Sequence, residues 1–103
     1  MDDPNQIEVP PSFVALFTGS GGYRLTRPMA EVRERYELCE DLAQMLCEQA
    51  STAAFKSGAA EGEVLAGMRT ALSSEGGPLQ APEPAWVVTR IAEILGWELP
   101  GPG

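Results

Sequence analysis

From Pro28 to Lys56 the apolar residues Met29, Val32, Tyr36, Cys39, Ala43, Leu46, Ala50 and Ala53 recur at alternating steps of three and four. That alternation is the period of a helix buried along one side. The run covers about 29 residues, or about 43 Å when fully helical. In a chain of 103 residues, everything else must fold around such a rod, or another molecule must cover it.

With Met29 at position a of a heptad, the seam occupies every a and d through Ala53. Leu42 falls at g, and Leu38 and Met45 fall at c, so the apolar arc is wider than one partner helix covers. Two partner helices from the same chain satisfy it. The opposite face carries Glu34, Asp41 and Glu48 at f, with Glu37 and Glu40 beside them. Toward its end the seam narrows to Ala50 and Ala53, small residues that admit close approach but bury little area. A rod this long also outruns shorter partners, which keeps pairing with a second copy open at Ala50 and Ala53.

The ends of this helix carry the expected signals. Thr26 suits the N-cap, Pro28 the first turn, and Glu31 and Glu34 the positive end of the dipole. Lys56 suits the negative end and Gly58 the terminator. Glu31 with Arg35, and Arg33 with Glu37, are spaced for surface pairs.

Two shorter helices follow. Val64, Leu65, Met68, Ala71 and Leu72 line one face of a helix over about 60–73, and Gly62 and Gly67 weaken it or permit a close crossing. Gly76-Gly77-Pro78 stops it. Trp86, Val87, Val88, Ile91, Ile94 and Leu95 give a wide face over about 84–95. Gly96 suits a left-handed cap, with Trp97 folding back as in a Schellman motif.

Ahead of the long helix, Pro10-Pro11 precede the apolar run Phe13-Val14-Ala15-Leu16-Phe17. At this length the pattern fits a turn or two of helix or a short strand. The lack of a second strand to pair with it favours helix. The expected fold is therefore all-α: a small helical bundle with a central helix over about 28–56, helices over about 60–73 and 84–95, and a short N-terminal helical segment. Residues 1–11 form a flexible arm, 12–99 a single helical domain and 100–103 a flexible tail.

Composition narrows the function. Seven basic against fifteen acidic residues give a net charge of −8, which opposes binding to nucleic acid or to an anionic membrane. Residues 1–36 hold four basic and five acidic groups, whereas 37–103 hold three and ten, so the charge is concentrated in the later part. No apolar run reaches membrane-spanning length, and the acidic start Met1-Asp2-Asp3-Pro4 is unlike a secretory signal.

The chain has no His, hence neither the usual general base nor the commonest transition-metal ligand. Cys39 and Cys47 lie about 12 Å apart along one helix, too far to form a disulfide or chelate one ion. They read as reduced, buried thiols of a cytoplasmic protein, since the surrounding acids disfavour the thiolate. No metal or cofactor is expected. Gly19-Ser20-Gly21-Gly22 invites a phosphate-binding reading, but Tyr23-Arg24 follows where a P-loop needs Lys and Ser or Thr.

The expected function is a non-catalytic, acidic interaction module, an adaptor or regulator that binds a protein partner through apolar helix faces. Alternatives are a homodimeric structural helical module and a nucleotide- or phosphate-binding protein using the Gly-rich loop. Candidate interface residues are Phe13, Phe17 and Tyr23, whose segment has the least certain place in the bundle, and Arg24 from the basic cluster Arg24, Arg27, Arg33 and Arg35. Glu34, Asp41 and Glu48 of the acidic face and Ala50 and Ala53 of the seam complete the set.

The stretch Ile7-Glu8-Val9-Pro10-Pro11-Ser12-Phe13-Val14-Ala15-Leu16-Phe17, together with Arg35-Tyr36-Glu37-Leu38-Cys39-Glu40-Asp41-Leu42-Ala43-Gln44-Met45-Leu46, resembles a family of small proteobacterial proteins of unsettled function. Some members of that family carry the label "ATPase with chaperone activity". The resemblance covers about half the chain and brings no catalytic motif with it. It implies a bacterial, cytosolic protein.

Overall fold

Among the described residues the chain forms four helices: α1 (Pro11–Val14), α2 (Met29–Ser57), α3 (Glu61–Leu72) and α4 (Glu83–Leu95). The structure is a computed structural model and describes residues 8–19, 24–74 and 76–98. Most of the expected arm, Ser20–Gly22 of the Gly-rich loop, Tyr23 and the tail at 100–103 lie outside the described residues. The fold is all-α, a helical bundle with a long central helix. The chain divides into two compact units, Met1–Leu38 and Cys39–Gly103.

In the first unit the prolines set the start of α1. Pro10 is extended (φ −66°, ψ 150°), and its carbonyl accepts the amides of Phe13 (3.0 Å) and Val14 (3.1 Å). Pro11 occupies the first turn, where a missing N–H costs nothing. One α turn tightens into a 3-10 turn over Ala15–Phe17 and ends at extended Thr18. The run from Phe13 to Phe17 is thus helical, the first of the two alternatives that its length left open.

The chain then closes on itself. Thr18 and Leu25 form a single antiparallel β-bridge, and the Gly19 amide donates to the Arg24 carbonyl at 2.7 Å. The Thr26 amide (2.7 Å) and hydroxyl (3.1 Å) both donate to the Phe17 carbonyl. Thr26 therefore does not cap α2 as expected. The helix begins at Met29, so the cap position falls to Pro28, two residues after Thr26. The carbonyl of Pro28 accepts the amides of Glu31 (3.0 Å) and Val32 (3.1 Å) at the start of α2. Glu31 pairs with Arg27, one turn before it.

Phe13 is fully buried and Phe17 nearly so. The Phe13 ring lies 5.5 Å from Phe17 and 5.6 Å, edge-on, from Tyr36, both favourable aromatic arrangements. Among the described residues of this unit, Val9 and Val32 are the other buried apolar side chains.

In the second unit α2 ends as its sequence predicts. Gly58 takes φ +70° and its amide donates to the Ala54 carbonyl (3.0 Å), while the Ser57 hydroxyl donates to that of Ala53 (2.6 Å). α3 begins without a side-chain cap, but Glu61 and Glu63 sit in its first turn, where the helix dipole favours acids. The start of α4 is held more firmly. The Glu83 carboxylate accepts the Gln80 amide (2.8 Å) while the Glu83 amide donates to the Gln80 carbonyl (2.7 Å). This reciprocal pairing lets a carboxylate sit 1% exposed. The intervening Ala81–Pro82 bond is cis.

At the other end of α4, the Trp97 amide donates to the Ala92 carbonyl (2.9 Å) and the Gly96 amide to that of Glu93 (3.3 Å), with Gly96 at φ +72°. That is the expected Schellman geometry. α3 and α4 pack on one another. The core joins Cys39, Ala43, Cys47 and Ala50 of α2 with Leu65 of α3 and Trp86, Val87, Val88 and Ile91 of α4.

Candidate functional site

The α2 seam is covered in its middle and open at its ends. Val32, Cys39, Ala43 and Ala50 are buried, Tyr36 and Leu46 are half-buried, and Met29 and Ala53 are exposed. The wide apolar arc is likewise only partly covered, because Met45 stands 59% exposed beside half-buried Leu38 and Leu42. A methionine left so open inside a helix of the second unit marks a face that its own helices do not cover.

That face continues into a groove between α2 and α3. Leu46, Gln49 and Ala53 form one wall; Val64, Met68 and Leu72 form the other. The space between them is about 370 Å³. Gly67 lines it, and a Cβ added there would meet nothing within 4 Å. The glycine thus leaves a gap on the α3 side rather than permitting a close crossing. A second depression over Met45, Glu48, Gln49, Thr52 and Ala53 shares Gln49 and Ala53 with the groove, so the two form one surface. Glu48 and Glu63 supply its acids.

The expected interface residues separate under this geometry. Phe13 and Phe17 are core residues of the first unit, packed ring to ring, which removes them from the exposed candidates. Ala50 is fully buried, whereas Ala53 is exposed in the groove. Arg24 and Glu34 are exposed in the first unit, and Asp41 and Glu48 in the second. Tyr23 lies outside the described residues.

Phe55, 90% exposed, is absent from the expected set. Following charge along the stripe Glu34, Asp41 and Glu48 passes over it, although the same seven-residue step from Glu48 reaches it. Glu40 is the second residue that periodicity misplaces. It does not belong to a solvated acidic face: its carboxylate takes Arg90 Nε at 2.8 Å and a second guanidinium nitrogen at 3.1 Å. Gln44 Nε2 adds a third donor at 2.7 Å, and Glu93 lies 3.5 Å from the same guanidinium. The Arg90 hydrogen bonds hold the Glu40 carboxyl below the usual range, and Glu40 in turn raises Arg90.

Cys39 and Cys47 are both buried, and neither forms a disulfide. Burial pushes the Cys47 thiol up, against a smaller opposing pull from Arg90. A raised thiol is a poor nucleophile at neutral pH. Among the described residues, no three Cys, Asp or Glu side chains converge as a metal site would require, and no helix is long and apolar enough to cross a membrane.

The chain matches no protein-family model, no curated protein and no solved structure.

Proposed function

We propose that this chain is a non-catalytic protein-interaction module, an adaptor or regulator that binds a protein partner in the cytoplasm through apolar helix faces. The observation that carries this reading is the exposure of two large apolar side chains within α2, Met45 at 59% and Phe55 at 90%. A helix that leaves a methionine and a phenylalanine to water, with acids beside them at Asp41 and Glu48, has the make-up of a partner-binding surface. Trp, Tyr, Phe and Met are enriched at such surfaces, and a rim of charge selects the partner.

A second reading is a homodimeric structural module whose long helices pair. Its support is the open ends of the seam, where Met29 and Ala53 are exposed. Like charge opposes it, since each copy would bring a net charge of −8.

The test is affinity capture at low and high salt by the wild-type chain and by a Met45→Ser/Phe55→Ser variant, followed by direct titration of the recovered partner. A saturable partner that the variant loses supports the module. Retention of nothing beyond the chain itself sinks it and leaves self-association as the account.

A further inference from the structure

We infer that the groove between α2 and α3 is a docking site for an amphipathic helix of a partner protein whose polar flank is basic. The inference rests on the reading of the chain as a partner-binding module and specifies its occupant.

The walls set the shape of the guest. Val64, Met68 and Leu72 repeat every four residues along α3, and Leu46, Gln49 and Ala53 run along the facing side of α2. Ridges at that spacing accept side chains of a third helix placed at i, i+3 or i+4, and i+7. α3 has 12 residues, about 18 Å, which accommodates about three turns of guest. A strand would leave its edge groups unpaired here, because neither wall offers free backbone donors. Gly67 provides the depth: with no atom within 4 Å of an added Cβ, a guest side chain can enter between the α3 ridges. Met45 and Met68 supply flexible, polarisable contacts that adapt to the guest.

Charge sets the sign of the guest. Glu48 and Glu63 line the surface, and residues 39–103 carry three basic against nine acidic groups. A helix with Lys or Arg flanking its apolar stripe meets opposite charge at the edges. A second copy of this chain would meet its own sign, which is the argument for a heterologous guest.

The experiment titrates the full-length, isotope-labelled chain with a synthetic amphipathic peptide of about 14 residues, leucine on one face and lysine on the other. A twin carrying glutamate for lysine is the control. The expected result is saturable binding of the lysine peptide, with amide shifts centred on Leu46–Ala53 and Val64–Leu72. A Gly67→Leu variant fills the groove from its own wall. Because leucine is the better helix former and the site is open, the variant folds. It should lose roughly tenfold or more in affinity.

Equal binding of the glutamate peptide, shifts confined to the Asp41–Phe55 face, or undiminished binding by Gly67→Leu would each overturn the inference. So would a dimer in sedimentation that protects the same amides. The failures are separable. A natural partner captured equally by wild type and Gly67→Leu rejects the groove but keeps the module, whereas a chain that captures no partner loses both.

Discussion

The guanidinium of Arg90 on α4 holds both carboxylate oxygens of Glu40 on α2, at 2.8 and 3.1 Å, across fifty residues of sequence. Forked pairing of this kind fixes orientation as well as distance. Glu40 is the better sheltered partner, with its side chain 18% exposed against 34% for Arg90. The pair therefore positions α4 against α2 within the second unit, and it yields the most direct test of the fold.

Glu40→Gln should destabilise the chain by about 1 kcal/mol at neutral pH, a figure already reduced for the solvent reaching Arg90. The folded carboxyl is held below its unfolded value of about 4.3, so its contribution is present above that pH and is lost as pH falls through the folded value. Urea midpoints of wild type and variant should differ near neutrality and converge on acidification below about pH 4. A gap that stays constant in acid would assign the effect to packing instead.

The thiols give a second test, of opposite slope. Cys47 is raised in the fold, so its contribution is complete below the unfolded thiol value of about 8.5 and declines as pH rises toward the folded one. Both cysteines are buried thiols outside any disulfide, so an aromatic disulfide reagent should label them slowly in the native chain and quickly in denaturant. Rapid native labelling of either thiol would mean that the core opens readily at that position.

Ala50 and Ala53, one turn apart on the same seam, should behave as different kinds of residue. Ala50→Glu places an unpaired charge where no water reaches and should cost roughly 3 kcal/mol or more. Ala53→Glu faces the groove and should stay within about 0.5 kcal/mol of wild type. Thermal unfolding of the two single variants measures this. Equal effects would contradict the opening of the seam after Ala50.

Glycines divide in the same way. Gly67→Ala relieves backbone entropy inside α3 with open space for the methyl, and should stabilise by about 0.5–1 kcal/mol. Gly96→Ala forces an L side chain into φ +72° at the α4 cap and should destabilise by about 1 kcal/mol. Opposite shifts in Tm are expected. Shifts of the same sign would mean that Gly67 is held in place by a contact.

Periodicity and punctuation carry most of the fold. The expected bounds of α2, α3 and α4 match the observed ones within a residue, and Gly58 and Gly96 end α2 and α4 through their own left-handed backbone angles. Local pattern is silent on pairs distant in sequence. Nothing near Glu40 signals Arg90, and nothing near Thr26 signals that its hydroxyl turns to Phe17. The interface candidates were the least legible for the same reason. Whether Phe13 or Phe55 meets water depends on what the chain brings against each ring, and both sit in segments with ample apolar residues nearby.

The bridge between Thr18 and Leu25 has a consequence for redesign of the chain. Together with the Gly19–Arg24 and Thr26–Phe17 hydrogen bonds it pins both shores of the Gly-rich stretch. Once the shores are fixed, the entropy of closing the span rises only logarithmically with its length, by about 0.6 kcal/mol per doubling. A tag or sensor peptide spliced between Gly19 and Arg24 should therefore leave the first unit's aromatic cluster folded, which makes this crossing a natural port for reporters.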